Sequence, residues 1–460
     1  MTVSPFYPLD LGALRRHWDV AALGDVVAEM RPGFASGQHN RLGTGVPHLR
    51  PMNVTPDGKL DLSDLKYVGG ANVLRVRRGD ILFNNTNSPE WVGKTAVINA
   101  GGDMAFSNHM TRIRVGSRLQ PEFLALQLHY FCLTGYFRQT CTNHVNQASV
   151  SLRDLRLLPV IVPPVDEQER IVSVIEEQIS RLDAGSAGID VANQKLINYE
   201  HAVLHAATLG RLSSTKHLPQ TSPARETSDH ALPLLPARWH WTKLGSIADV
   251  VGGVAKDTKK QSGVGFVEVP YLRVANVQRG RLDLREIARI RVPAAVAKRL
   301  TLLKGDVLMN EGGDRDKLGR GWVWDGQIPD CIHQNHVFRV RVREGVLDPR
   351  FLSWHGNSFG QEWFQREGKQ TTNLASISLN RLRKLPVPVP PLDEQRAIVG
   401  DLERRLSVTV AIRIEMGRAR SKARKLRVAI LGAAFTGRLS VGAELGHAGQ
   451  VRGALTGVAK

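Results

Sequence analysis

Residues 158–168 have the sequence LPVIVPPVDEQ, and a nearly identical stretch, LPVPVPPLDEQ, occupies residues 385–395, 227 positions further on. The same offset relates the sequence GRLS at residues 210–213 to GRLS at residues 437–440. A repeat of such long period is typical of a duplicated structural unit. We therefore predict that the chain consists of two similar halves.

Each half joins a segment of variable length to a segment of fixed length. The offset between the halves is 221 residues at Trp18 and Trp239, and it reaches 227 by Asn108 and Asn335. From there to the GRLS sequences it changes only by a single residue near Pro121. Insertions are therefore confined mainly to the first part of each half.

The fixed-length segments are predicted to be long helices. Two prolines disfavour helix before Asp166 and Asp393, whose acidic side chains suit a first turn, and Gly210 and Gly437 suit a C-terminal stop. Apolar residues recur at near-heptad spacing in the first helix and less regularly in the second. Because so long an exposed helix needs a partner, we expect the two helices to pack against each other.

The two predicted helices carry opposite net charge. From Asp166 to Ser213 there are four basic and eight acidic residues, whereas from Asp393 to Ser440 there are 11 basic and five acidic residues. An acidic and a basic helix of equal length favour each other over pairing with themselves. The alternative is that each charged run is simply a solvated face, since exposed ion pairs contribute little.

The chain as a whole is strongly basic. Its 460 residues include 62 lysines and arginines against 43 acidic residues, a formal charge of +19. Most of the excess lies outside the helices, with +5 on residues 1–165 and +11 on residues 236–392. Two similar basic domains indicate a protein that recognises double-stranded DNA in two parts. A scaffold whose basic charge serves only protein contacts is a weaker alternative.

Several other classes of protein are disfavoured. A hydrophobic content of 42% excludes a largely disordered chain. No apolar run approaches the ~18 residues that a membrane span needs, so we expect a cytoplasmic protein. Cys132, Cys141 and Cys331 show no CxxC spacing, and neither a disulfide framework nor a cysteine-rich zinc site is expected.

The expected fold class is α+β, with two similar mixed α/β domains separated by two long helices in a coiled coil and related by a pseudo-twofold internal repeat. The predicted segments are a first domain at residues 1–160, a first helical segment at 161–213, a polar linker at 214–235, a second domain at 236–387, a second helical segment at 388–440 and a Gly- and Ala-rich tail at 441–460. Disorder is one interpretation of the tail. Helices of equal length would hold the domains at a fixed separation and so set an unread spacer within the DNA target.

Polar loops between the predicted strands supply the candidate DNA-binding residues, because Asn, Gln and Arg can form bidentate hydrogen bonds with base edges. In the first half the candidates are Asn84, Asn85, Asn87, Lys94, Asn108, His109, His144, Asn146 and Gln147. In the second half they are Lys256, Lys259, Lys260, Asn310, Glu311, Arg315, Lys317, Arg320, Gln334, Asn335, His336, Gln370, Thr371 and Asn373. Turn chemistry alone also enriches Asn, Asp and Gly in loops, so it remains an alternative for each of them.

No catalytic residue or metal site is predicted. The sequence from Val92 to Thr95, VGKT, resembles the end of a phosphate-binding loop, but Ser88 stands where that loop requires its first glycine. No other common catalytic motif occurs, and no histidine is spaced as a metal ligand. The alternative to a DNA-recognition protein is a DNA-modifying or DNA-cleaving enzyme whose catalytic motif is unrecognised.

The duplicated LPxxxPPxxEQ and GRLS motifs, together with GDILFN at residues 79–84 and GDVLMN at residues 305–310, resemble the specificity subunit of type I restriction-modification systems. The resemblance extends from about Trp18 to Ser440. It implies two target-recognition domains, each reading half of a split DNA target, and two antiparallel helices that act as spacer and docking site. It also implies no catalytic residues in this chain.

The same resemblance implies the partners and cofactors of the chain. They are two modification subunits, which bind S-adenosylmethionine and methylate adenine, and in the full complex two restriction subunits driven by ATP with Mg. No cofactor is expected in this chain itself.

Overall fold

The structure is a computed structural model that describes residues 7–69, 73–99, 103–144, 147–212, 220–221, 232–255, 265–370 and 375–439. It divides into two compact units, which we call unit 1 (residues 1–189 and 417–460) and unit 2 (residues 190–416). Most of the predicted linker at 214–235 and all of the tail at 441–460 lie outside the described residues. Both boundaries between the units fall within long helices.

Unit 1 consists mainly of short strands. In chain order they are β1 (Asp19–Ala22), β2 (Val27–Pro32), β3 (Val46–Leu49), β4 (Lys66–Val68), β5 (Arg75–Val76), β6 (Ile81–Phe83), β7 (Thr86–Asn87), β8 (Thr95–Val97), β9 (Met104–Phe106), β10 (Thr111–Val115), β11 (Thr142–His144), β12 (Gln147–Ser149) and β13 (Pro159–Val162). They form sheets in the orders β2-β10-β6-β8, β4-β3-β9-β5, β11-β12-β7 and β1-β13.

The helices of unit 1 cover these sheets. They are α1 (Leu23–Val26), α2 (Pro121–Leu133), α3 (Tyr136–Thr140), α4 (Leu152–Leu157), the first part of α5 (Val165–Thr208) and the last part of α11 (Leu392–Phe435). Helix α2 begins with a proline, which suits the first helical position because no hydrogen bond from its nitrogen is needed there. The main core of the unit contains the fully buried rings of Phe83, Phe123 and Phe131.

Unit 2 repeats this construction. Its strands are β14 (Gln220–Thr221), β15 (Leu235–Pro236), β16 (His240–Lys243), β17 (Ala248–Gly252), β18 (Phe266–Leu272), β19 (Val277–Gln278), β20 (Arg281–Leu282), β21 (Ala288–Pro293), β22 (Val307–Asn310), β23 (Gly312–Gly313), β24 (Gly321–Val323), β25 (Ile332–His333), β26 (Val337–Val342), β27 (Lys369–Gln370), β28 (Ala375–Ser376) and β29 (Pro386–Val389). Its helices are the last part of α5, α6 (Leu244–Ile247), α7 (Ala294–Leu300), α8 (Pro349–Asn357), α9 (Phe359–Glu367), α10 (Leu379–Leu382) and the first part of α11.

The internal repeat of the sequence is visible in the sheets. The sheet β17-β26-β22-β24 of unit 2 has the strand order of β2-β10-β6-β8 in unit 1, and β23-β28-β27 corresponds to β7-β12-β11. Likewise β16 pairs with β29 as β1 pairs with β13. The predicted fold class, two similar mixed α/β domains with two long helices, is confirmed.

The repeated Glu-Gln pair at the start of each long helix fixes the helix to its domain. In unit 1, Glu167 accepts a hydrogen bond from Trp18 Nε1 at 2.8 Å, and the buried Gln168 accepts from the backbone nitrogen of Gln120 at 2.9 Å. In unit 2, Glu394 accepts from Trp239 Nε1 at 2.7 Å, and Gln395 binds the domain backbone in the same way. The motif that identifies the repeat therefore has a structural role.

Helices α5 and α11 have 44 residues each and run antiparallel. In unit 1, Asp183 of α5 pairs with Arg427 of α11, and Lys59 donates to the same carboxylate at 2.5 Å. In unit 2, Glu200 of α5 accepts a hydrogen bond from Arg413 of α11 at 2.9 Å. The acidic helix and the basic helix thus form ion pairs with each other.

The apolar contact between the helices is strongest near their ends. Ile171 and Ile175 are buried in the core of unit 1, and Leu402 is buried in that of unit 2. Leu182 and Ile189 are only half-buried. Residues at near-heptad spacing in α5 are therefore buried near the start of the helix and only partly buried in its middle.

Candidate nucleic-acid interface

Most of the candidate residues of unit 1 meet at one place, which we call edge 1 and define as residues 85–87, 107–109 and strands β11 and β12. Strand β7 pairs with β12, so Asn87 lies opposite Ala148 and next to the exposed Gln147. The backbone nitrogen of Thr86 donates to the carbonyl oxygen of His109 at 3.2 Å. The polar loops that the sequence separates are therefore adjacent in the fold.

Unit 2 builds the same arrangement, edge 2, from residues 311–313, 334–336 and strands β27 and β28. The backbone nitrogen of Glu311 donates to the carbonyl oxygen of His336 at 3.0 Å, and its carbonyl oxygen accepts from Ile377 N at 2.9 Å. In edge 1 the carbonyl oxygen of Asn85 accepts from Val150 N at the same distance, 2.9 Å. The backbone frame is thus shared while the side chains differ.

Three candidate residues are buried. The side chains of Asn84 and Asn310 are fully buried and donate from Nδ2 to the carbonyl oxygens of Pro51, at 3.0 Å, and Val277, at 2.9 Å. Lys94 is 6% exposed and donates from Nζ to the carbonyl oxygen of Val54. Each satisfies a backbone acceptor inside its own unit, where an unpaired group would be costly, so this conformation offers none of the three to DNA.

The burial of Lys94 also explains the VGKT sequence. Gly93 has a φ of +89°, and a Cβ atom there would lie 2.1 Å from a ring carbon of Phe137. Burial lowers the pKa of Lys94 below its usual value, although the nearby Cys132 opposes this. The glycine is therefore required by the turn and by ring packing, and this lysine is not the exposed phosphate ligand of a nucleotide-binding loop.

Three basic candidates follow strand β23 of edge 2, and two of them form hydrogen bonds or ion pairs within unit 2. Arg315 donates from Nε and Nη2 to the carbonyl oxygen of Gln365 at 3.1 and 3.0 Å, and Lys317 pairs with Asp314. Burial lowers the pKa of Arg320, against the opposing charges of Asp316 and Asp314. Arg315 remains exposed beside β23, whereas Lys317 and Arg320 are half-buried.

The structure describes the side chains of some of the remaining candidates, only the backbone of two others, and none of the rest. Gln334 and Asn335 are half-buried in edge 2, His336 is exposed there, and Asn108 is exposed in edge 1. The backbones of His144 and Gln370 lie in β11 and β27, and their side chains are outside the described residues. Also outside the described residues are Asn146, Lys256, Lys259, Lys260, Thr371 and Asn373.

The structure adds residues that the sequence analysis missed. Lys369 and Ser376 are exposed and face each other in the β27–β28 register of edge 2, and Thr142 and Ser149 form the equivalent pair in edge 1. Lys369 directly precedes the candidate Gln370, so its position in the sequence was an available signal. Nothing in the local sequence of Ser376 distinguishes it from an ordinary strand residue.

The described ranges contain neither a metal-binding cluster nor a membrane-spanning helix. No group of three or more His, Cys, Asp or Glu side chains there is arranged to hold a metal ion. The three cysteines, Cys132, Cys141 and Cys331, are free thiols. In the same part of the chain, no helix is long and apolar enough to cross a membrane.

Two basic units with equivalent polar edges are typical of proteins that recognise a target in two parts. Comparison with known proteins points to the same class. A family model described as the type I restriction modification DNA specificity domain matches residues 16–186. The StySPI specificity subunit of Salmonella potsdam is 24% identical over 410 residues, which cover 86% of this chain and 82% of that protein. The EcoBI specificity subunit of Escherichia coli is 24% identical over 438 residues, covering 90% and 85%.

A solved structure supports the fold. It was described in work on complex assembly and conformational transition of the type I R-M system, and it matches with a TM-score of 0.67 at 20% identity, covering 93% of this chain and 99% of the other. Along most of its length the chain is similar to the specificity subunits of type I restriction-modification systems.

Proposed function

We propose that the chain determines the DNA target of a type I restriction-modification complex, with unit 1 reading one part of the target and unit 2 the other. The observation that carries this proposal is that edges 1 and 2 share one backbone frame and present different side chains, for example Asn85 and Glu311. Two domains that recognise different base sequences need side chains with different hydrogen-bonding groups, and an equivalent backbone can present them in the same geometry. The chain acts by recognition and performs no catalysis.

We assign recognition to domains at residues 1–160 and 236–387, and the spacer role to the segments 161–213 and 388–440. The proposed DNA-contacting residues are the exposed or half-buried candidates in the two edges and in the loop after β23, together with Lys369: Asn85, Asn87, Asn108, His109, Gln147, Glu311, Arg315, Lys317, Arg320, Gln334, Asn335, His336 and Lys369. The candidates whose side chains are not described stay in this proposal because of their loop chemistry. Asn84, Lys94 and Asn310 leave it because they are buried.

The chain assembles within a type I restriction-modification complex, and we propose that two modification subunits bind to its long helices. Helix α11 supports this with apolar side chains that are about half exposed: Val408 at 58%, Val410 at 51%, Ile412 at 41% and Ile414 at 52%. On a helix, residues four positions apart share a face, so Val408 lies beside Ile412 and Val410 beside Ile414. Exposed apolar surface of this kind marks interaction sites. S-adenosylmethionine would then be held by the modification subunits, and ATP and Mg by two restriction subunits.

A methylation experiment tests the proposed function. The full chain, co-purified with modification subunits, is incubated with random-sequence DNA and S-adenosylmethionine, and the methylated sites are sequenced. We expect one target in two parts, and no DNA chemistry by the chain alone with Mg. Methylation or cleavage by the isolated chain would instead favour an enzyme with an unrecognised catalytic motif.

Lys94 and Lys369 should differ in their contribution to phosphate binding. Replacing the exposed Lys369 with methionine is expected to reduce the slope of log affinity against log salt by about 1, the value for one phosphate contact. Lys94→Met should leave the slope unchanged, because its ammonium group is bonded to Val54 inside the unit. Fluorescence titrations of the assembled complex at several salt concentrations measure both slopes, and a flatter slope for Lys94→Met would contradict its structural role.

The exposed apolar surface of α11 should affect assembly. A glutamate in place of Ile414 is expected to weaken binding of modification subunits at least about tenfold, because burying an unpaired carboxylate is costly. Ser407→Glu, which places the same charge at another exposed position of α11, is the control. Analytical ultracentrifugation of the mixtures measures assembly, and equal effects of the two substitutions would argue against a docking role for Ile414.

A further inference from the structure

Edge 2 contains an acidic side chain where a DNA-binding surface would be expected to be basic or neutral. Glu311 follows strand β22 and lies within the more basic half of the chain. A carboxylate close to phosphate groups is repelled by them. Its presence in a DNA-reading edge therefore requires either a purely structural role or a partner on the DNA that donates a hydrogen bond.

Hydrogen bonds on both sides hold the backbone of Glu311. Its nitrogen donates to the carbonyl oxygen of His336 at 3.0 Å, and its carbonyl oxygen accepts from Ile377 N at 2.9 Å. Strand β23 follows directly and pairs with β28. The point from which the side chain extends is therefore fixed by the sheet.

A hydrogen-bonded chain orients the carboxylate itself. Glu311 Oε2 lies 2.8 Å from His336 Nδ1, and His336 Nε2 lies 3.2 Å from Asn335 Nδ2. Because an amide nitrogen only donates, Nε2 of the neutral ring accepts and Nδ1 carries the proton that it donates to Glu311. Within the described part of the chain, the other oxygen, Oε1, has no hydrogen-bond partner, and the side chain is 26% exposed.

We infer that Glu311, oriented by His336, is a specificity-determining residue that accepts a hydrogen bond from N4 of a cytosine in the half of the target read by unit 2. This inference rests on the proposed function. In the major groove, a carboxylate can accept from the amino group of cytosine, whereas O6 of guanine and O4 of thymine are acceptors and would repel it. Adenine also offers an amino group, but the acceptor N7 lies beside it and disfavours a second carboxylate oxygen. The negative charge of Glu311, which is unfavourable near phosphates, would then discriminate against bases that present an acceptor at this position.

The equivalent position in unit 1 shows that the shared fold does not require this arrangement. There, Asn85 donates from Nδ2 to Thr86 Oγ1 and to the carbonyl oxygen of Asn108, both at 3.3 Å. Its Oδ1 accepts from Thr111 Oγ1 at 3.2 Å. The amide is thus engaged within edge 1, whereas Oε1 of Glu311 has no hydrogen-bond partner among the residues that the structure describes. The same backbone frame is stable with either residue, so the choice of glutamate is available for base selection.

The substitution Glu311→Gln tests the inference, because it preserves shape and replaces one acceptor oxygen with a donor. The full chain, assembled with modification subunits, methylates random-sequence DNA, and the base preference at each target position is counted. We expect the preference for cytosine over adenine at one position of one half-site to fall on the order of tenfold, since an amide can pair with adenine. All other positions should keep their preferences.

The matched control is Glu344→Gln, which removes the same charge from an exposed turn of unit 2 outside edge 2. It is expected to keep every base preference of the original protein. A second variant, His336→Gln, keeps the carboxylate and removes the ring that orients it, and it should weaken discrimination at the same position as Glu311→Gln. Melting temperatures of all three variants separate a folding defect from altered recognition.

The outcomes distinguish the inference from the proposed function. If the original complex methylates a two-part target and both edge variants retain its base preferences, Glu311 is not a base reader and the inference is wrong. Lower melting temperatures with unchanged preferences would assign the pair a structural role, which also overturns it. If the original complex shows no two-part target at all, the proposed function itself fails.

Discussion

Exchange of residues 244–385 for the equivalent segment of a relative is expected to replace one half of the DNA target and to leave the other half unchanged. The segment contains all of edge 2, and Leu244 N donates to the carbonyl oxygen of Leu385 at 2.9 Å, so its two ends meet in the fold. Outside the segment, strand β16 still pairs with β29, and Trp239 still binds Glu394. The chimera therefore keeps the contacts that fix helix α11 to its domain.

Unit 1 supplies the reciprocal exchange. Leu23 N donates to the carbonyl oxygen of Leu158 at 2.8 Å, so residues 23–158 form an equivalent segment with adjacent ends. Its replacement should change the other half of the target only. Sequencing of methylated adenines in cells that carry each chimera measures both halves at once. Loss of both half-specificities in a folded, assembled chimera would contradict independent reading by the two units.

Much of the fold could be predicted because its signals are local or repeated. Pairs of prolines before Asp166 and Asp393 place the start of each long helix, and opposite charges predict that the helices pair. The constant offset between the halves predicts that the two domains contain equivalent strands and helices. The role of Gln168 could not be predicted in this way, because its partners Arg118 and Gln120 lie 50 and 48 positions away and become neighbours only through the fold.

The candidate interface could be predicted in part. Asn84 and Asn85 are consecutive polar residues after a strand and look equivalent in the sequence, yet the structure buries the first and places the second at edge 1. The difference depends on the carbonyl oxygen of Pro51, which lies 33 positions away and needs a donor. Loop composition thus predicts where polar groups gather. It does not predict which of these polar side chains are buried and form hydrogen bonds with backbone groups inside the protein.

The ion pairs between the long helices differ between the two units, and the sequence repeat does not predict this difference. At the offset of 227, Arg427 corresponds to Glu200, so the two ends of the helix pair carry different ion pairs. In unit 1, the side chain of Arg427 is 10% exposed and pairs with Asp183, which is 27% exposed. Burial raises the pKa of Asp183, but its hydrogen bond to Lys59 and the charge of Arg427 outweigh this and hold the pKa below its usual value. The carboxylate is therefore charged in the folded protein.

The surroundings of Arg427 make its charge important for stability. Burial, and secondarily the charge of Arg427, lowers the pKa of His129 to about 4, so this histidine is neutral near pH 7. It adds no second positive charge, and the main partners of Asp183 are Arg427 and the largely exposed Lys59. Removing Arg427 would leave a partly buried carboxylate with only a solvent-screened cation beside it.

Replacement of Arg427 with methionine is accordingly expected to destabilise unit 1 by about 3 kcal/mol, the lower end of the range for breaking a buried ion pair. Methionine retains the length and the helix propensity of the side chain, so the loss reflects the missing charge. The matched control is Arg413→Met in unit 2, where the arginine of the Glu200 pair is 45% exposed and about 1 kcal/mol or less is expected. Urea titration of the full chain, followed by hydrogen exchange of each unit, measures both effects.

Hydrogen exchange is needed because the two units share their helices, and a single transition would not show which unit opens first. The expected result is faster exchange of amides in unit 1 for Arg427→Met, with unit 2 close to the original protein. Addition of Asp183→Asn should recover part of the loss, because the double variant no longer contains the unpaired carboxylate. Equal destabilisation by Arg427→Met and Arg413→Met would mean that burial does not distinguish the two pairs, and the ion pair at Asp183 would then not account for the stability of unit 1.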